Sequence, residues 1–378
     1  MHFSAKESIA DGPLQYSIEV KILENVSLAP YTTLGVGGAA RWFVETGAED
    51  EVLAAVRFAR DQAVPLFLLG GGSNLLVADE GFGGVVVRLS GGELDWIDAG
   101  DGMGRIVAGA GVEWDAVVRL AMERNGAGVE CLAGIPGSVG AAPVQNVGAY
   151  GQDVSHTIAH VRALDLQTEQ AVELSSSECG FSYRRSIFNS THKGRYAITR
   201  VEFALCLDQP PSLEYRDVKN YFAERDQAYP TLAETADAVR KIRRRKGMML
   251  TDDDPDTRSA GSFFKNPVAR ADAVARLAEI AGCRVEEVPQ FPAGWGYAPE
   301  DGMVKLSAAW LIESAGFGKG FAMGRAALSS KHVLAIVNRG GATSAEIVAL
   351  RNAVIAGVER AFAVRLEQEP VLLGFPPR

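Results

Sequence analysis

Cysteine is scarce in this chain of 378 residues, at four positions: Cys131, Cys179, Cys206 and Cys283. No pair has metal-ligand spacing and nothing resembles a disulfide framework, which argues against a disulfide-stapled secreted scaffold or a structural zinc module. A reducing, cytoplasmic setting is the expectation. Histidines are few as well, at five. His156 and His160 stand four apart, but no third ligand lies near them. His160-Val161-Arg162-Ala163-Leu164 alternates like a strand, so no metal is expected. Long apolar runs are missing. Leu66-Phe67-Leu68-Leu69 and Val85-Val86-Val87 are far too short to span a bilayer. Residues 1–20 lack a basic start followed by an apolar stretch, so no secretory leader is expected, and residues 1–24 read as a loosely held extension. Positive charge is not in surplus: 38 Lys and Arg stand against 47 Asp and Glu, for a net charge of −9. Coating nucleic acid needs the opposite balance, so that partner class is excluded. No G-x-x-x-x-G-K-[S/T] motif exists, which removes the P-loop. There is no internal repeat and no low-complexity tract.

What is present is a globular composition, with 47% hydrophobic and 22% charged residues. The length points to more than one core. Helical spacing places Val52, Leu53, Val56 and Ala59 on one face of residues 48–62, and Val117, Val118, Leu120 and Ala121 on one face of residues 114–125. Strands are expected at 66–69, 85–89, 160–166, 171–174, 197–205 and 332–338. Further helices are expected at 231–246, 272–281, 308–315 and 344–362, the last with a Thr343/Glu346 capping box. The fold class is therefore α+β without a regular βαβ rhythm. Residues 248–259 read as a linker or ordered loop. The basic run Lys241-Ile242-Arg243-Arg244-Arg245-Lys246 suits the last turn of a helix, or supplies local charge for an anionic small ligand.

The 41 glycines cluster. Gly35-Val36-Gly37-Gly38-Ala39-Ala40 matches a dinucleotide fingerprint by letter. A strand-like Arg41-Trp42-Phe43-Val44 follows it, where that motif needs a helix. Leu69-Gly70-Gly71-Gly72-Ser73-Asn74-Leu75-Leu76 is more informative. Three glycines after a strand bare consecutive backbone N–H groups, and Ser73 and Asn74 add donors, which suits a phosphate. Gly134-Ile135-Pro136-Gly137-Ser138-Val139-Gly140 repeats the idea, and Gln145-Asn146-Val147-Gly148-Ala149-Tyr150-Gly151 follows. One such loop reads as a tight turn; the set favours a pyrophosphate cradle. Three distant segments carry candidate chemistry. Gly261-Ser262-Phe263-Phe264-Lys265-Asn266-Pro267 offers a hydroxyl among cationic and amide neighbours. Tyr183-Arg184-Arg185-Ser186-Ile187-Phe188 places two arginines in an apolar run. Leu366-Glu367-Gln368-Glu369-Pro370 puts carboxylates into a strand-like segment. Trp42, Trp295 and Trp310 read as core or lid packing.

These glycine loops, the motif Thr33-Leu34-Gly35-Val36-Gly37-Gly38 and the three reactive segments together resemble the UDP-N-acetylenolpyruvoylglucosamine reductase family, from about residue 25 to the end. The resemblance implies a two-lobed FAD-binding unit of the vanillyl-alcohol-oxidase (PCMH) type, at 25–95 and 96–247. A smaller α+β substrate-binding domain follows at 248–378, whose C-terminal strand returns to the active site. It implies noncovalent FAD and NADPH as hydride source. The substrate is UDP-N-acetylglucosamine enolpyruvate, and a cytoplasmic monomer of the peptidoglycan precursor route is expected. The implied catalytic residues are Arg184, Ser262 and Glu369. FAD falls to Gly70, Gly71, Gly72, Ser73, Asn74, Leu75, Gly134, Pro136, Gly137, Ser138, Gly140, Asn146, Gly148, Ala149 and Tyr150. The substrate falls to Tyr183, Tyr215, Lys246, Lys265 and Asn266. Pro211-Ser212-Leu213-Glu214-Tyr215-Arg216-Asp217 resembles the tyrosine loop of the family's longer form. Arg185, the length of 247–259 and the enlarged 283–300 depart from the family pattern. Within this scheme Arg184 holds the carboxylate as charge develops, and Glu369 either donates a proton-bearing oxygen, which is favoured, or orients Arg184 or a water. Ser262 protonates the substrate carbon and needs a relay, with Lys265 or a water as the expected helper. A sugar or alcohol oxidase on the same flavin scaffold and a nucleotide-sugar-binding module without chemistry are the competing readings.

Overall fold

In the computed structural model, residues 20–292 and 302–376 are described. The first sheet contains β1 (Leu23–Ser27), β2 (Ala39–Thr46), β3 (Leu66–Leu69) and β5 (Phe82–Leu89), in the order β1-β2-β5-β3. β1 runs antiparallel to β2, while β2, β5 and β3 are parallel. Helix α1 (Glu49–Asp61) buries Val52, Ala55, Val56 and Ala59 against the sheet. Glu49, Asp50 and Glu51 occupy its first turn, where the helix dipole favours negative charge. The expected extension ends sooner than 24, because Leu23 and Glu24 already pair with Phe43 and Trp42. Trp42 is packed edge-on against Phe58, as core.

β4 (Leu75–Val77) follows the glycine loop. A five-stranded antiparallel sheet then forms from β6 (Leu94–Gly100), β7 (Met103–Gly109), β10 (Ile158–Asp165), β11 (Gln170–Ser175) and β12 (Tyr196–Cys206), in the order β11-β10-β12-β7-β6. Between these strands lie α2 (Trp114–Glu123) and the short hairpin β8 (Gly148–Ala149) and β9 (Gln152–Asp153). Val201, Phe203 and Leu205 alternate inward along β12, the two-residue period of a half-buried strand. Trp114 meets Phe203 edge-on and donates its indole N–H to Leu132 O at 3.0 Å. Helices α3 (Arg216–Ala223) and α4 (Leu232–Arg245) close this core, α4 starting at a Thr231/Glu234 capping box.

The remainder holds two small antiparallel sheets. β13 (Val268–Arg270), β14 (Gln290–Pro292) and β15 (Met303–Leu306) form one; β16 (Ala322–Met323), β17 (Ala326–Leu328) and β18 (Ile336–Asn338) form the other. Helices α5 (Ala273–Ala281), α6 (Ala308–Ser314) and α7 (Ser344–Phe362) pack with them. The Thr343/Glu346 capping box is present, and Ile347, Leu350, Val354, Val358 and Phe362 form the buried stripe of α7. Trp310 packs on Phe362. Trp295 lies outside the described residues, with the rest of 293–300 in the enlarged 283–300 segment.

Three details differ from the sequence reading. The strand expected at 332–338 starts only at Ile336, because His332 sits in a turn closed by Ser329 and Ala335. Residues 366–370 are irregular, joined to the Ser262 segment by an isolated Phe264–Gln368 bridge. The strand proper is β19 (Val371–Leu373), parallel to β4. Residues 248–259 are an ordered loop: Asp256 is buried and accepts from Ser330, and Thr257 ties back to Thr251.

Candidate active site

Arg184 is held by its backbone first. It has φ +56°, a left-handed conformation uncommon outside glycine and held by surrounding bonds. Ser182 and Arg185 exchange backbone hydrogen bonds across the turn at 2.9 and 3.0 Å. Asn189 Nδ2 donates to Arg184 O, and Ser186 Oγ donates to Val144 O at 2.6 Å. The guanidinium then folds over the β8–β9 hairpin, donating from Nη2 to Gly148 O at 2.7 Å. Its Nε lies 3.0 Å from Glu369 Oε1, a close charge pair in which the N–H is not aimed along the contact. Burial opposes the charge on Arg184, but Glu369 and its other anionic neighbours outweigh it and hold its pKa above the ordinary arginine value.

Glu369 is fixed from two sides. Its amide donates to Phe263 O at 2.9 Å, which sets it beside the Ser262 segment. Asn74 Nδ2 donates to Glu369 O at 3.3 Å, and Val371 N donates to Asn74 O at 3.0 Å, which ties it to the glycine loop. Ser262 follows Gly261, which has φ +71°. Two fully buried phenylalanines, Phe263 and Phe264, pin the chain after it. Arginine, hydroxyl and carboxylate segments far apart in sequence are thus joined through hydrogen bonds and an ion pair. The helper expected for Ser262 is not Lys265, whose ammonium faces exposed Glu367 at 3.7 Å. The neighbour is His332, with Nε2 3.4 Å from Ser262 Oγ. Burial, then Lys246, Lys319 and Arg243, push the His332 pKa down to about 4.

Around this centre, Tyr183 lies under the Lys305 ammonium, 4.3 Å from the ring centroid. Lys305 is buried in β15, and burial followed by Arg184 pushes its pKa down to about 8. Lys246 pairs with Asp217 at 2.5 Å and stands 5.7 Å over the Tyr150 ring, which meets Tyr215 edge-on. Burial raises the Tyr150 hydroxyl to about 12. Asn266 caps α6, its Oδ1 accepting from Ala308 N at 3.0 Å, so its side chain serves the fold. Asn146 is likewise engaged, donating to Ser182 O and accepting from Ser155 N, and so shapes the arginine turn.

The glycine loops press on one another. A Cβ on Gly70 would lie 2.6 Å from Ser138 Oγ, on Gly71 2.6 Å from Gly137 Cα, and on Gly72 1.8 Å from Tyr31 O. Glycine is required there for close approach as much as for bare amides. Pro136, Gly140 and Leu75 flank the same junction, with Gly140 donating its amide to Ala110 O. Ser138 Oγ is buried without a hydrogen-bond partner among the described residues, a costly state unless a ligand satisfies it. Alongside lies a cavity of about 250 Å³ lined by Pro30, Tyr31, Thr32, Thr33, Gly70, Gly71, Arg88 and Leu250. These features fit a phosphate-bearing cofactor. A larger open depression of about 860 Å³ lies by Leu213, Lys219 and Phe222, and neither Arg184, Ser262 nor Glu369 lines it.

His332, Lys305 and Arg88 escaped sequence reasoning, and Arg243 entered it only within the basic run 241–246. Only Lys305 left a signal there: a lysine inside the short apolar run Met303-Val304-Lys305-Leu306.

Comparison with known proteins identifies the family and its domains. Residues 40–175 match the model of an FAD-binding domain. Residues 253–373 match that of the UDP-N-acetylenolpyruvoylglucosamine reductase C-terminal domain. A reductase of that name from Thermobifida fusca (strain YX) is 46% identical over 93% of this chain and 97% of its own length. One from Streptomyces coelicolor is 43% identical, over 94% and 91%. The crystal structure of UDP-N-acetylenolpyruvylglucosamine reductase from Thermus caldophilus superposes with a TM-score of 0.60 at 25% identity, covering 94% of this chain and 98% of that one. With that likeness running along nearly its whole length, the chain belongs to the UDP-N-acetylenolpyruvoylglucosamine reductase family, oxidoreductases with an FAD-binding domain.

Proposed function

We propose that this enzyme reduces the enolpyruvyl ether of UDP-N-acetylglucosamine to the lactyl ether, UDP-N-acetylmuramate, with noncovalent FAD and with NADPH as reductant. The reaction serves peptidoglycan precursor synthesis, and we take the enzyme to be a cytoplasmic monomer divided at about 25–95, 96–247 and 248–378. The observation that carries the reading is the Arg184–Glu369 pair at 3.0 Å, hydrogen-bonded through the backbone to the Ser262 segment. When bound, reduced FAD supplies a hydride to the terminal methylene carbon of the substrate.

The electron pair of the double bond then moves onto the neighbouring carbon and into the carboxylate. Arg184 binds that growing charge as a permanent, planar cation. Glu369 aims the guanidinium, which fits an ion pair better than the proton-donating carboxyl favoured from sequence. Ser262 gives its hydroxyl proton to the carbon that carries the charge. Lys305, on the Tyr183 ring, adds positive charge close to Arg184. Lys246 and Tyr215 are placed to meet the diphosphate of the sugar nucleotide, and that of NADPH in turn. Ser138 and the glycine loops hold the FAD pyrophosphate.

The test is an anaerobic stopped-flow experiment on the purified yellow protein. NADPH bleaches the flavin, and the enolpyruvyl sugar nucleotide restores its colour while simple sugars and alcohols do not. Rapid recolouring by oxygen alone, with no response to the enolpyruvyl compound, would reject the proposal.

A further inference from the structure

A serine that gives up its proton becomes an alkoxide, and a bare alkoxide cannot persist in a buried site. Something must return the proton as it leaves. Lys265 is turned toward Glu367 and Arg184 toward Glu369 and Gly148. The group facing the Ser262 hydroxyl is the His332 imidazole, at 3.4 Å. We propose that His332 relays a proton from solvent to Ser262. The inference rests on the reading of Ser262 as the proton donor.

The balance is as follows. The Ser262 O–H bond breaks and a C–H bond forms on the substrate. The Nε2–H bond of His332 breaks as the Ser262 O–H bond reforms. The other ring nitrogen gains a proton from water, which is re-protonated in turn by bulk solvent. No electrons move in this part.

The surroundings suit the role. The charged groups facing the imidazole are Lys246 and Arg243 at the end of α4, Lys319 from the turn before β16, and Asp217 in α3. Burial first, and then the three cations against the opposing pull of Asp217, keep the ring neutral at physiological pH, with one nitrogen protonated and one able to accept. A neutral ring passes a proton through without trapping it. His332 is itself only partly buried, so the ring reaches water. The backbone also holds the ring in place: His332 N donates to Ser329 Oγ and Ala335 N to His332 O.

The test uses FAD-loaded wild type, His332→Gln and Ser262→Ala, with His332→Asn read in the same way if the glutamine variant does not retain flavin. A glutamine keeps a hydrogen bond to Ser262 but does not pass a proton from one end to the other. The expected result is bleaching by NADPH at the wild-type rate, recolouring by substrate slowed about a hundredfold, and a recolouring rate that climbs with the concentration of added imidazole buffer. Wild type shows no such buffer dependence. Recolouring of His332→Gln within about threefold of wild type, while Ser262→Ala is slow, would overturn the relay and leave Ser262 as donor. A loss shared equally by both half-reactions, or one that no buffer acid relieves, would overturn it as a structural effect. Ser262→Ala recolouring at the wild-type rate would remove the donor reading itself.

Discussion

Replacing Arg184 with lysine keeps the charge and removes the shape. The guanidinium donates to Gly148 O at 2.7 Å and lies against Glu369 at 3.0 Å, so two edges of the fork are committed to protein. Nη1, with a long 3.5 Å contact to Asn146 O, keeps its second N–H for the substrate carboxylate. An ammonium on a flexible stem has one nitrogen for all three tasks. If it stays with Glu369, it loses the carboxylate; if it meets the carboxylate, Glu369 is left half-paired in a largely buried place. A hydrogen bond to a charged group contributes about 1.5–3 kcal/mol. Losing one such bond in the transition state, together with imperfect placement of the other, gives a penalty of about 3–4 kcal/mol. That corresponds to about 10²–10³ in rate.

The assay is again the two half-reactions, read separately in Arg184→Lys. NADPH bleaching should stay within about threefold of wild type, because Arg184 contacts hairpin carbonyls and Glu369 and lies outside the glycine junction. Recolouring by the enolpyruvyl substrate should fall by the factor above, with flavin content unchanged. If Arg184→Lys recolours within a few-fold of wild type, fork geometry is irrelevant and simple charge suffices.

Ser262→Ala should retain NADPH bleaching and lose about a thousandfold in recolouring, the scale of a missing general acid, and a single-turnover measurement decides it. Gly71→Ala forces a Cβ to 2.6 Å from the Gly137 backbone. It should cost about 1–3 kcal/mol and release FAD, seen as a colourless protein of lowered Tm, whereas a yellow variant of wild-type Tm would show that the loops do not meet. Lys305 has a folded pKa of about 8 against an ordinary lysine value of 10.5. Its burial therefore costs stability fully below pH 8, and that cost fades as pH rises from about 8 to above 10.5. Lys305→Met should stabilise the protein by up to about 3 kcal/mol in urea at pH 7, with a smaller advantage at pH 10. Equal gains at both pH values would disprove the depressed pKa.

The readability of this chain from sequence follows physical range. The helix start at Thr231, the Thr343/Glu346 capping box, the helix at 344–362 and the strand at 197–205 depend on neighbours within a turn or two, and they were legible. Arg184, Ser262 and Glu369 were named through motif resemblance and expected to share one site, but the bonds that join their segments were not legible. It depends on Phe263 O meeting Glu369 N and on Asn74 clasping residues 369–371, contacts between segments more than 100 residues apart. Such contacts leave no period in the sequence.

His332 was invisible for a related reason. In sequence it is the first residue of an expected strand at 332–338, and only burial together with the nearby cations makes it a neutral ring facing a serine. Lys265 misled in the opposite way. Three positions from Ser262, it looked like the natural helper, but neighbouring positions along an extended segment point to alternate sides. Residues 262 and 265 therefore face apart, and the lysine reaches Glu367 instead. Nearness in sequence along a strand-like stretch argues against contact at odd spacing, so the group that serves Ser262 had to come from another part of the chain.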